Sequence, residues 1–322
     1  MTVTNHSSIK SKVLIVGFGS AGQRHAKNSE LLGFDVVIVT SSISTEYPCY
    51  KTLGEAIQKN TFKFVIISTP TNKHSSELKV CIEHNIPCLV EKPLAISLID
   101  LRKTVKKIPD NYICSVGYLL RYHPIIKLLV KELPKLGVLY DSSISFGHYL
   151  PWWRPNTDYS KCYSAYINQG GGVLLDSSHE IDLIYYLFGV VSSLVAVSGN
   201  FSNLDIDSDD ECFAIFRMAS KQVVQLRLDY LNKIPERKIV INGKNGSIVA
   251  DLMKEEYHSN INSVERKESF SIDRNQIFID ELMDFSHKYN ECLLPNLNDS
   301  IYILKIIDTI RKSNIEEKWI KI

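Results

Sequence analysis

The amino-acid sequence predicts an α/β protein in which a doubly wound parallel sheet comes first and an α+β domain built on a largely antiparallel sheet follows. Two observations support this prediction. Apolar runs alternate with helical segments up to Gly117, and beyond Gly117 several strand-like runs follow one another directly. At 322 residues the chain is long enough for two cores. We place the domain boundary so that the first domain spans 1–118 and the second 119–322.

The first element is a strand, because residues 13–16 form a continuous β-prone apolar run typical of a central parallel strand. The glycine-rich turn that follows consists of Gly17, Phe18, Gly19, Ser20, Ala21 and Gly22. Such glycines allow a tight turn, a close approach of a pyrophosphate and close packing of the next helix. That helix, from Ala21 to about Leu32, would direct its N-terminus at the pyrophosphate. This order predicts a Rossmann dinucleotide-binding domain, with these six residues at the cofactor.

The end of the second strand, residues 36–39, normally selects between NAD and NADP. An acidic residue there would bind the adenine-ribose 2′-hydroxyl of NAD, but the chain has Thr40 and Ser41. Asp35 lies at the wrong end of the strand, and Arg24 is the nearest arginine in sequence that could bind a 2′-phosphate. We predict that Thr40 and Ser41 contact the cofactor, and both NAD and NADP remain open.

The alternation of strand and helix continues through the first domain. We predict helices over 52–59, 72–84 and 97–107, and strands over 62–68, 87–91 and 112–117. Thr69 and Pro70 follow one of these strands, and Glu91 and Lys92 end another. Ligands of doubly wound sheets bind at the carboxyl ends of the strands, so these residues are predicted to line the crevice.

The second domain is predicted to be mainly sheet. A helix over 124–133 precedes strands at 139–146, 193–198, 212–217, 222–229, 238–242 and 247–251. The charged stretch from Glu255 to Asp273 contains few large apolar residues, and we interpret it as an exposed connection. Two helices, over about 276–289 and 299–312, close the chain.

The bulk composition excludes several classes of partner. The chain has 37 basic and 36 acidic residues and a net charge of +1, so we expect no binding to nucleic acid or to an anionic membrane. No apolar run is long enough to span a bilayer, and residues 1–12 lack the apolar core of a signal peptide. The seven scattered cysteines favour reduced thiols, and the spacing of His74, Cys81, His84 and Cys88 matches no common zinc pattern. We expect a soluble cytoplasmic protein without a metal site.

Five motifs, in this order, resemble those of the Gfo/Idh/MocA oxidoreductases, named for glucose-fructose oxidoreductase, inositol dehydrogenase and a rhizopine-catabolism protein. The motifs are residues 17–25 (GFGSAGQRH), 68–74 (STPTNKH), 91–93 (EKP), 117–122 (GYLLRY) and 170–182 (GGGVLLDSSHEID). The resemblance covers nearly the whole chain. It implies an NAD(P)-dependent enzyme that acts on a sugar, cyclitol or nucleotide-linked sugar and forms a homo-oligomer. Residues 150–155 and 163–165 resemble a branch found in bacterial surface-polysaccharide biosynthesis.

The resemblance also assigns residues to roles. Lys92 and His179 are expected at the reacting hydroxyl. Thr69, Pro70, His74 and Glu91 are expected at the cofactor, together with Lys92. Substrate contacts are expected from Arg121, Trp153, Arg154, Asp176 and His179. The family usually has an aspartate four residues before this histidine, whereas Asp176 lies three before it. Whether Asp176 binds substrate or only caps a helix therefore remains open.

The chemistry of hydride transfer fits the two expected catalytic residues. Oxidation of a secondary alcohol needs a group that accepts the hydroxyl proton and a group that stabilises the negative charge on the oxygen. Ser177 and Glu180 form a capping-box pattern that places His179 at a helix N-terminus, where the helix dipole disfavours the imidazolium. A neutral His179 could accept the proton and a cationic Lys92 could stabilise the charge. Asp182, one turn further on, could orient His179 or pair elsewhere.

The segment around Trp152, Trp153 and Arg154 suggests the kind of substrate. Two adjacent tryptophans in one extended segment cannot both point inward, so at least one should be partly exposed. An indole fits the apolar face of a sugar ring, and the guanidinium of Arg154 can bind a phosphate or carboxylate through two hydrogen bonds. We therefore expect a sugar derivative with an anionic group.

Two alternatives to a sugar oxidoreductase remain. One is an NAD-dependent glycoside hydrolase or lyase that works by transient oxidation, and the other is a non-catalytic cofactor-sensing protein.

Overall fold

A computed structural model of the chain describes residues 10–41 and 46–322, which form two sheets flanked by helices. The first sheet has six parallel strands in the order β3-β2-β1-β4-β5-β6. Its strands are β1 (Lys12–Val16), β2 (Asp35–Val39), β3 (Cys49–Tyr50), β4 (Phe64–Ile67), β5 (Cys88–Val90) and β6 (Cys114–Val116). The strands that face helices on both sides are almost wholly apolar and buried, which confirms the predicted doubly wound sheet.

Helices connect these strands as the sequence pattern predicts. They are α1 (Ser20–Leu31), α2 (Leu53–Lys59), α3 (Thr71–Glu83) and α4 (Leu98–Thr104). Thr52 and Ser97 cap α2 and α4, because each side chain accepts a hydrogen bond from the backbone three residues on. Among the strands and helices described up to residue 117, only the two-residue strand β3 was not predicted from the sequence. It pairs with the end of β2 and extends the sheet by one short edge strand.

The second sheet has nine strands in the order β14-β13-β12-β11-β7-β10-β9-β8-β15. Its strands are β7 (Leu139–Gly147), β8 (Val191–Gly199), β9 (Glu211–Met218), β10 (Val223–Asp229), β11 (Glu236–Gly243), β12 (Gly246–Asp251), β13 (Glu256–Ile261), β14 (Val264–Ser269) and β15 (Ile320–Lys321). The pairing is antiparallel except between β7 and β10, so the prediction of a largely antiparallel sheet is confirmed.

The helices of this half are α5 (Pro124–Glu132), α6 (Val173–Asp176), α7 (Ser178–Phe188), α8 (Arg274–Lys288) and α9 (Leu297–Glu316). Short 3₁₀ turns lie at Leu119–Tyr122, Leu133–Leu136, Leu150–Trp152, Tyr159–Lys161, Tyr163–Ala165, Ile167–Gln169 and Tyr289–Glu291. Within the described ranges, no helix combines the length and apolar character that a bilayer crossing requires.

The prediction that Glu255 to Asp273 is an exposed connection was wrong. Most of this stretch forms the hairpin β13–β14, which extends the second sheet at its edge. Tyr257 is its large inward-facing residue and is buried, whereas every residue of β14 is at least partly exposed. The hairpin therefore lacks the apolar alternation by which half-buried strands are recognised.

One late helix contributes to the core of the first sheet. Ile277, Leu282 and Phe285 of α8 are buried in one cluster with Val13, Ile15, Phe64 and other residues from one face of β1, β2, β4 and β5. The rings of Phe64 and Phe285 meet edge to face with centroids 5.5 Å apart. Residues from beyond the proposed boundary at 118/119 thus cover part of the first sheet.

Candidate active site

A cleft of about 1130 Å³ separates the carboxyl ends of the first sheet from the second sheet and its loops. We call the side formed by the first sheet the cofactor wall and the opposite side the substrate wall. Sixteen of the predicted site residues line this cleft: Gly17, Phe18, Gly19, Ser20, Ala21, Thr40, Ser41, Thr69, Pro70, His74, Glu91, Lys92, Trp153, Arg154, Asp176 and His179. The other two, Gly22 and Arg121, do not line it.

The glycine turn on the cofactor wall fits a dinucleotide. A Cβ on Gly17 would lie 2.8 Å from the Ser68 carbonyl oxygen, and one on Gly22 would lie 2.1 Å from the Gly17 carbonyl oxygen. These two glycines are therefore required by the packing of turn, helix and strand. A Cβ on Gly19 would meet no protein atom within 4 Å, although Gly19 lines the cleft. The space beside Gly19 suits a pyrophosphate at the N-terminus of α1.

The adenosine end of the cofactor wall contains a cation that the sequence reasoning missed. The Thr40 amide donates to the Tyr50 carbonyl at 3.1 Å, so β3 lies beside the end of β2. Lys51, the next residue, lines the cleft together with Thr40 and Ser41. Its position depends on the pairing of β2 with β3, which no local motif indicates.

His74 joins two loops of the cofactor wall. Its Nδ1 lies 2.8 Å from the Pro93 carbonyl oxygen and its Nε2 lies 2.9 Å from the Thr69 carbonyl oxygen. Burial lowers the pKa of His74, and a neutral ring donates to one of these oxygens at a time. His74 therefore holds the loops that follow β4 and β5 at a fixed distance from each other.

Glu77 is a second residue of this wall that the sequence reasoning missed. Thr69 Oγ1 donates to Glu77 Oε2 at 2.5 Å, and Glu77 lines the cleft one turn after Lys73. Burial raises the pKa of Glu77 to about 7, despite the opposing effects of Thr69 and Lys73. The cofactor wall therefore carries a carboxyl that titrates near neutral pH.

Glu91 is held by His25, which lies on α1. His25 Nε2 lies 2.8 Å from Glu91 Oε1, and the Lys92 amide donates to Glu91 Oε2 at 3.3 Å. Burial opposes ionisation of Glu91, but the hydrogen bond to His25 and nearby positive charge leave its pKa below the ordinary value. Glu91 thus fixes the backbone from which the Lys92 side chain extends.

Lys92 reaches across the cleft to the substrate wall. Its Nζ donates to the Asp176 carbonyl oxygen at 2.6 Å. The Asp176 carboxylate accepts from the Tyr163 hydroxyl through Oδ1 and from the Tyr230 hydroxyl through Oδ2, both at 2.7 Å. Burial and the charge of Asp176 raise the pKa of both phenols well above the ordinary value, so they remain donors. Tyr230 could not be found from sequence, because it follows β10 and lies far from Asp176 along the chain.

His179 lies in the first turn of α7 and is buried. Burial lowers its pKa well below the ordinary value, and the charge of Lys92 lowers it further, so the imidazole is neutral. Its ring meets Tyr118 edge to face at 5.6 Å, and its Nδ1 has no hydrogen-bond partner in the described part of the chain. The predicted capping box does not form, because the Ser177 side chain makes no cap hydrogen bond and Glu180 instead pairs with Arg237 at 2.7 Å.

The structure does not bring Arg121 to the cleft. Its guanidinium is buried against Asp182, with Nη2 2.6 Å from Oδ1 and Nε within 3.2 Å of both carboxylate oxygens. Arg121 Nη1 also donates to the Leu293 carbonyl at 3.0 Å. Asp182 is accordingly committed to Arg121 and does not orient His179. The pair connects the turn after the first sheet to α7 and to the loop before α9.

The two adjacent tryptophans differ in exposure, as the sequence predicts. Trp152 is 52% exposed, whereas Trp153 packs edge to face on Tyr230 at 5.1 Å and donates from Nε1 to the His148 carbonyl. Trp153 is the one that lines the cleft. Beside it, the Arg154 guanidinium lies 5.3 Å from the centroid of the Tyr163 ring. Trp153 and Arg154 thus frame the Asp176 side of the substrate wall.

The substrate wall also holds cations and histidines that no motif indicated. They are His123, His148, Arg237 and Arg274. Burial is the largest cause of the lowered pKa of His123, His148 and His179, and the positive charge of Arg237 lowers each pKa further. Among the described residues, no group of three or more His, Cys, Asp or Glu side chains could hold a metal ion.

A glycine turn at a helix N-terminus, a lysine and a neutral histidine across one cleft define the chain as a two-domain nicotinamide-dependent oxidoreductase. Comparison with protein families agrees. Residues 11–118 match the family described as "Oxidoreductase family, NAD-binding Rossmann fold", and residues 152–322 match its "C-terminal alpha/beta domain". The chain belongs to the Gfo/Idh/MocA oxidoreductase family, which confirms the predicted resemblance and the NAD-binding domain.

Individual relatives are more distant. The chain is 25% identical to scyllo-inositol 2-dehydrogenase (NAD(+)) of Bacillus subtilis over 200 residues, which cover 58% of this chain and 56% of that protein. Its fold is similar to that of levoglucosan dehydrogenase in complex with NADH, with a TM-score of 0.85, 20% identity and coverage of 97% and 99%. It is also similar to the WlbA dehydrogenase of Bordetella pertussis in complex with NADH and UDP-GlcNAcA, with a TM-score of 0.79, 16% identity and coverage of 97% and 99%.

Proposed function

We propose that the chain transfers a hydride between a nicotinamide cofactor and a hydroxyl or keto carbon of a sugar or nucleotide-linked sugar. The observation that carries this proposal is a buried, neutral His179 within electrostatic reach of Lys92, in the same cleft as the glycine turn. The sugar class is supported by the relatives, whose names include an inositol dehydrogenase, a levoglucosan dehydrogenase and a dehydrogenase in complex with a UDP-sugar.

Each residue has a defined task in this proposal. Gly17 to Ala21, Thr69 and Pro70 hold the dinucleotide, which, when bound, exchanges a hydride with the carbon that bears the hydroxyl. His179 accepts the proton of that hydroxyl, since its imidazole is neutral. Lys92 stabilises the developing negative charge on the oxygen. An ammonium has three N–H donors and Asp176 accepts from one of them, so others remain for the substrate.

The cation beside Trp153 supports a substrate with an anionic group. The Arg154 guanidinium lies near the Asp176 side of the cleft, where the phenols of Tyr163 and Tyr230 occupy the Asp176 carboxylate. Because that carboxylate is already paired, Arg154 is available to a phosphate or carboxylate of the substrate. A sugar acid and a nucleotide-linked sugar both meet this requirement.

The test is a screen for NADH formation with sugars, sugar acids and nucleotide-linked sugars, followed by Arg154→Ala. We expect the Michaelis constant to rise far more for the anionic substrate than for its neutral analogue, with Arg102→Ala on the exposed face of α4 as the matched control. Equal effects on both substrates would contradict the anionic substrate. Consumption of a glycoside without net NADH would favour the hydrolase or lyase alternative.

Use of NADP, the homo-oligomer and the cytoplasmic location stay predictions. Lys51 beside Ser41 supports acceptance of a 2′-phosphate, so Ser41→Asp should weaken binding of NADP more than of NAD.

A homo-oligomer is supported by the exposed apolar side chains Val197, Phe213 and Ile215 on neighbouring strands β8 and β9. Light scattering of the purified chain would measure its oligomeric state.

A further inference from the structure

Three arginines from three separate elements line the same cleft. Arg24 lies on α1, Arg237 on β11, and Arg274 is the first residue of α8. We call these three residues the arginine wall. They are distinct from Arg154, which lies by Tyr163.

The arginine wall has few anionic partners within the protein. Across residues 10–41 and 46–322, neither Arg24 nor Arg274 forms an ion pair with a carboxylate. The Arg24 guanidinium instead lies 4.4 Å from the centroid of the Phe278 ring. Arg237 pairs through Nε with Glu180, and its guanidinium also lies over the Phe146 ring at 4.3 Å. Of the three guanidiniums, Arg24 and Arg274 therefore have no directly paired carboxylate among the described residues.

The three charges act on one another. Burial lowers the pKa of Arg274, and the positive charges of Arg24 and Arg237 lower it further. Like charges held together on one surface cost free energy unless an anion binds between them. Arg237 and Arg274 also contribute to the low pKa of His179, so their charges reach the proposed reaction centre. An anion bound here would therefore lie in the same cleft as His179.

We propose that the arginine wall binds the diphosphate of a nucleotide-linked sugar, an inference that rests on the proposed sugar oxidoreductase function. Guanidinium groups bind phosphate oxygens through paired hydrogen bonds, so three guanidiniums in one cleft match a diphosphate better than a single carboxylate. Glu255 also lines the cleft and keeps its negative charge, because the Ile272 amide that donates to its Oε2 at 3.3 Å is neutral, but the three arginines still outnumber Glu180 and Glu255. We propose Gly17 to Ala21 for the cofactor pyrophosphate, and Arg237 and Arg274 lie on β11 and α8, outside the first sheet, so we assign the arginine wall to the substrate.

The experiment is calorimetric titration of the NADH-loaded protein with uridine diphosphate and, separately, with inorganic pyrophosphate. We expect Arg274→Gln to weaken uridine diphosphate binding at least about tenfold, the loss expected when a charge-assisted hydrogen bond is removed. Arg24→Gln should weaken it in the same direction. Arg102→Gln on α4 removes an equal charge outside the cleft and should change nothing. Arg237 is not substituted, because its loss would leave the buried Glu180 unpaired.

Binding is measured without turnover, so the result does not depend on finding the oxidised sugar. Unchanged uridine diphosphate affinity in Arg274→Gln would overturn the proposal, as would an equal loss of NADH affinity, which would assign the wall to the cofactor. Failure of the wild-type protein to bind uridine diphosphate would also overturn it, while oxidation of a neutral sugar by that protein would leave the oxidoreductase function intact. If the protein binds uridine diphosphate tightly and in an Arg274-dependent way but oxidises no sugar, only the proposed function is contradicted.

Discussion

The cofactor wall and the substrate wall of the cleft are built in different ways. The cofactor wall consists of the glycine turn and of loops that directly follow parallel strands of the first sheet. On the substrate wall, side chains from α7, β11 and α8 meet, and Tyr163 and Tyr230 converge on Asp176 from separate segments. Strand-end loops thus build the cofactor wall, whereas only the tertiary fold brings the side chains of the substrate wall together.

The largest expected effect is on the stability of the fold, and it concerns Arg121, which is buried behind the substrate wall. Arg121→Leu should lower the free energy of unfolding by about 3–5 kcal/mol, because it leaves the buried Asp182 without its partner. Urea unfolding would measure this loss, and the double variant Arg121→Leu/Asp182→Leu should recover most of it. Stability close to wild type combined with a large rise in the Michaelis constant would show that Arg121 contacts substrate after all.

Lys92 and His179, which we propose to act at the reacting hydroxyl, allow the two walls to be compared directly. Lys92→Ala and His179→Ala should each reduce turnover on the order of a hundredfold or more, since each removes charge stabilisation or proton transfer. Steady-state kinetics with NADH affinity measured in parallel would test this. His84→Ala, an exposed histidine at the end of α3, is the matched control. Near-normal turnover with cofactor bound would leave the substituted residue with a structural role only.

Substitutions at two glycines of the cofactor wall test packing and cofactor binding separately. Gly22→Ala should destabilise the fold by about 1–3 kcal/mol, because its Cβ would overlap the Gly17 carbonyl oxygen. Gly19 has a φ of −73°, which alanine adopts readily, so Gly19→Ala should keep its melting temperature and lose roughly tenfold in NADH affinity. Gly54→Ala on α2 also meets no neighbour and serves as the control. Unchanged NADH affinity in Gly19→Ala would mean that the cofactor does not approach this backbone.

The smallest expected effect tests Glu77, a carboxyl of the cofactor wall whose pKa is raised to about 7. The folded protein holds the Glu77 proton up to about pH 7, whereas an unfolded chain releases it near the ordinary value of 4.5. The free energy of unfolding should therefore fall between about pH 5 and pH 7, by on the order of 1 kcal/mol after allowance for partial exposure. Glu77→Gln should flatten this part of the pH profile in thermal unfolding, relative to wild type. An identical profile in both proteins would rule out Glu77 as its source.

The fold could be predicted wherever burial leaves a local pattern. The strands of the first sheet are apolar along their length, and the turn after β1 must contain glycine because of contacts with Ser68 and Gly17. The hairpin β13–β14 lies at a sheet edge and has mostly polar residues on both faces, so its pairing left no such pattern. Its formation depends on antiparallel pairing of β13 with the backbone of β12.

The candidate site was predictable to the extent that its residues end strands or begin helices. Lys92 and His179 occupy such positions, and both line the cleft. Arg237 lies within a strand that resembles its neighbours, and only the register of β11 against β7 places it opposite Phe146. Arg121 occurs in a motif of the resembled family, but its contacts with Asp182 and Leu293 could not be inferred from its place in that motif.

The packing of α8 on the first sheet has a consequence for synthesis on the ribosome. The face of the sheet formed by Val13, Ile15 and Phe64 is completed by Ile277, Leu282 and Phe285, which are translated near the end of the chain. We expect the nascent N-terminal half to remain incompletely folded, with this apolar face exposed, until α8 has emerged. A chain that stops before Arg274 should therefore require a chaperone or aggregate, even though it contains every strand of the dinucleotide-binding sheet.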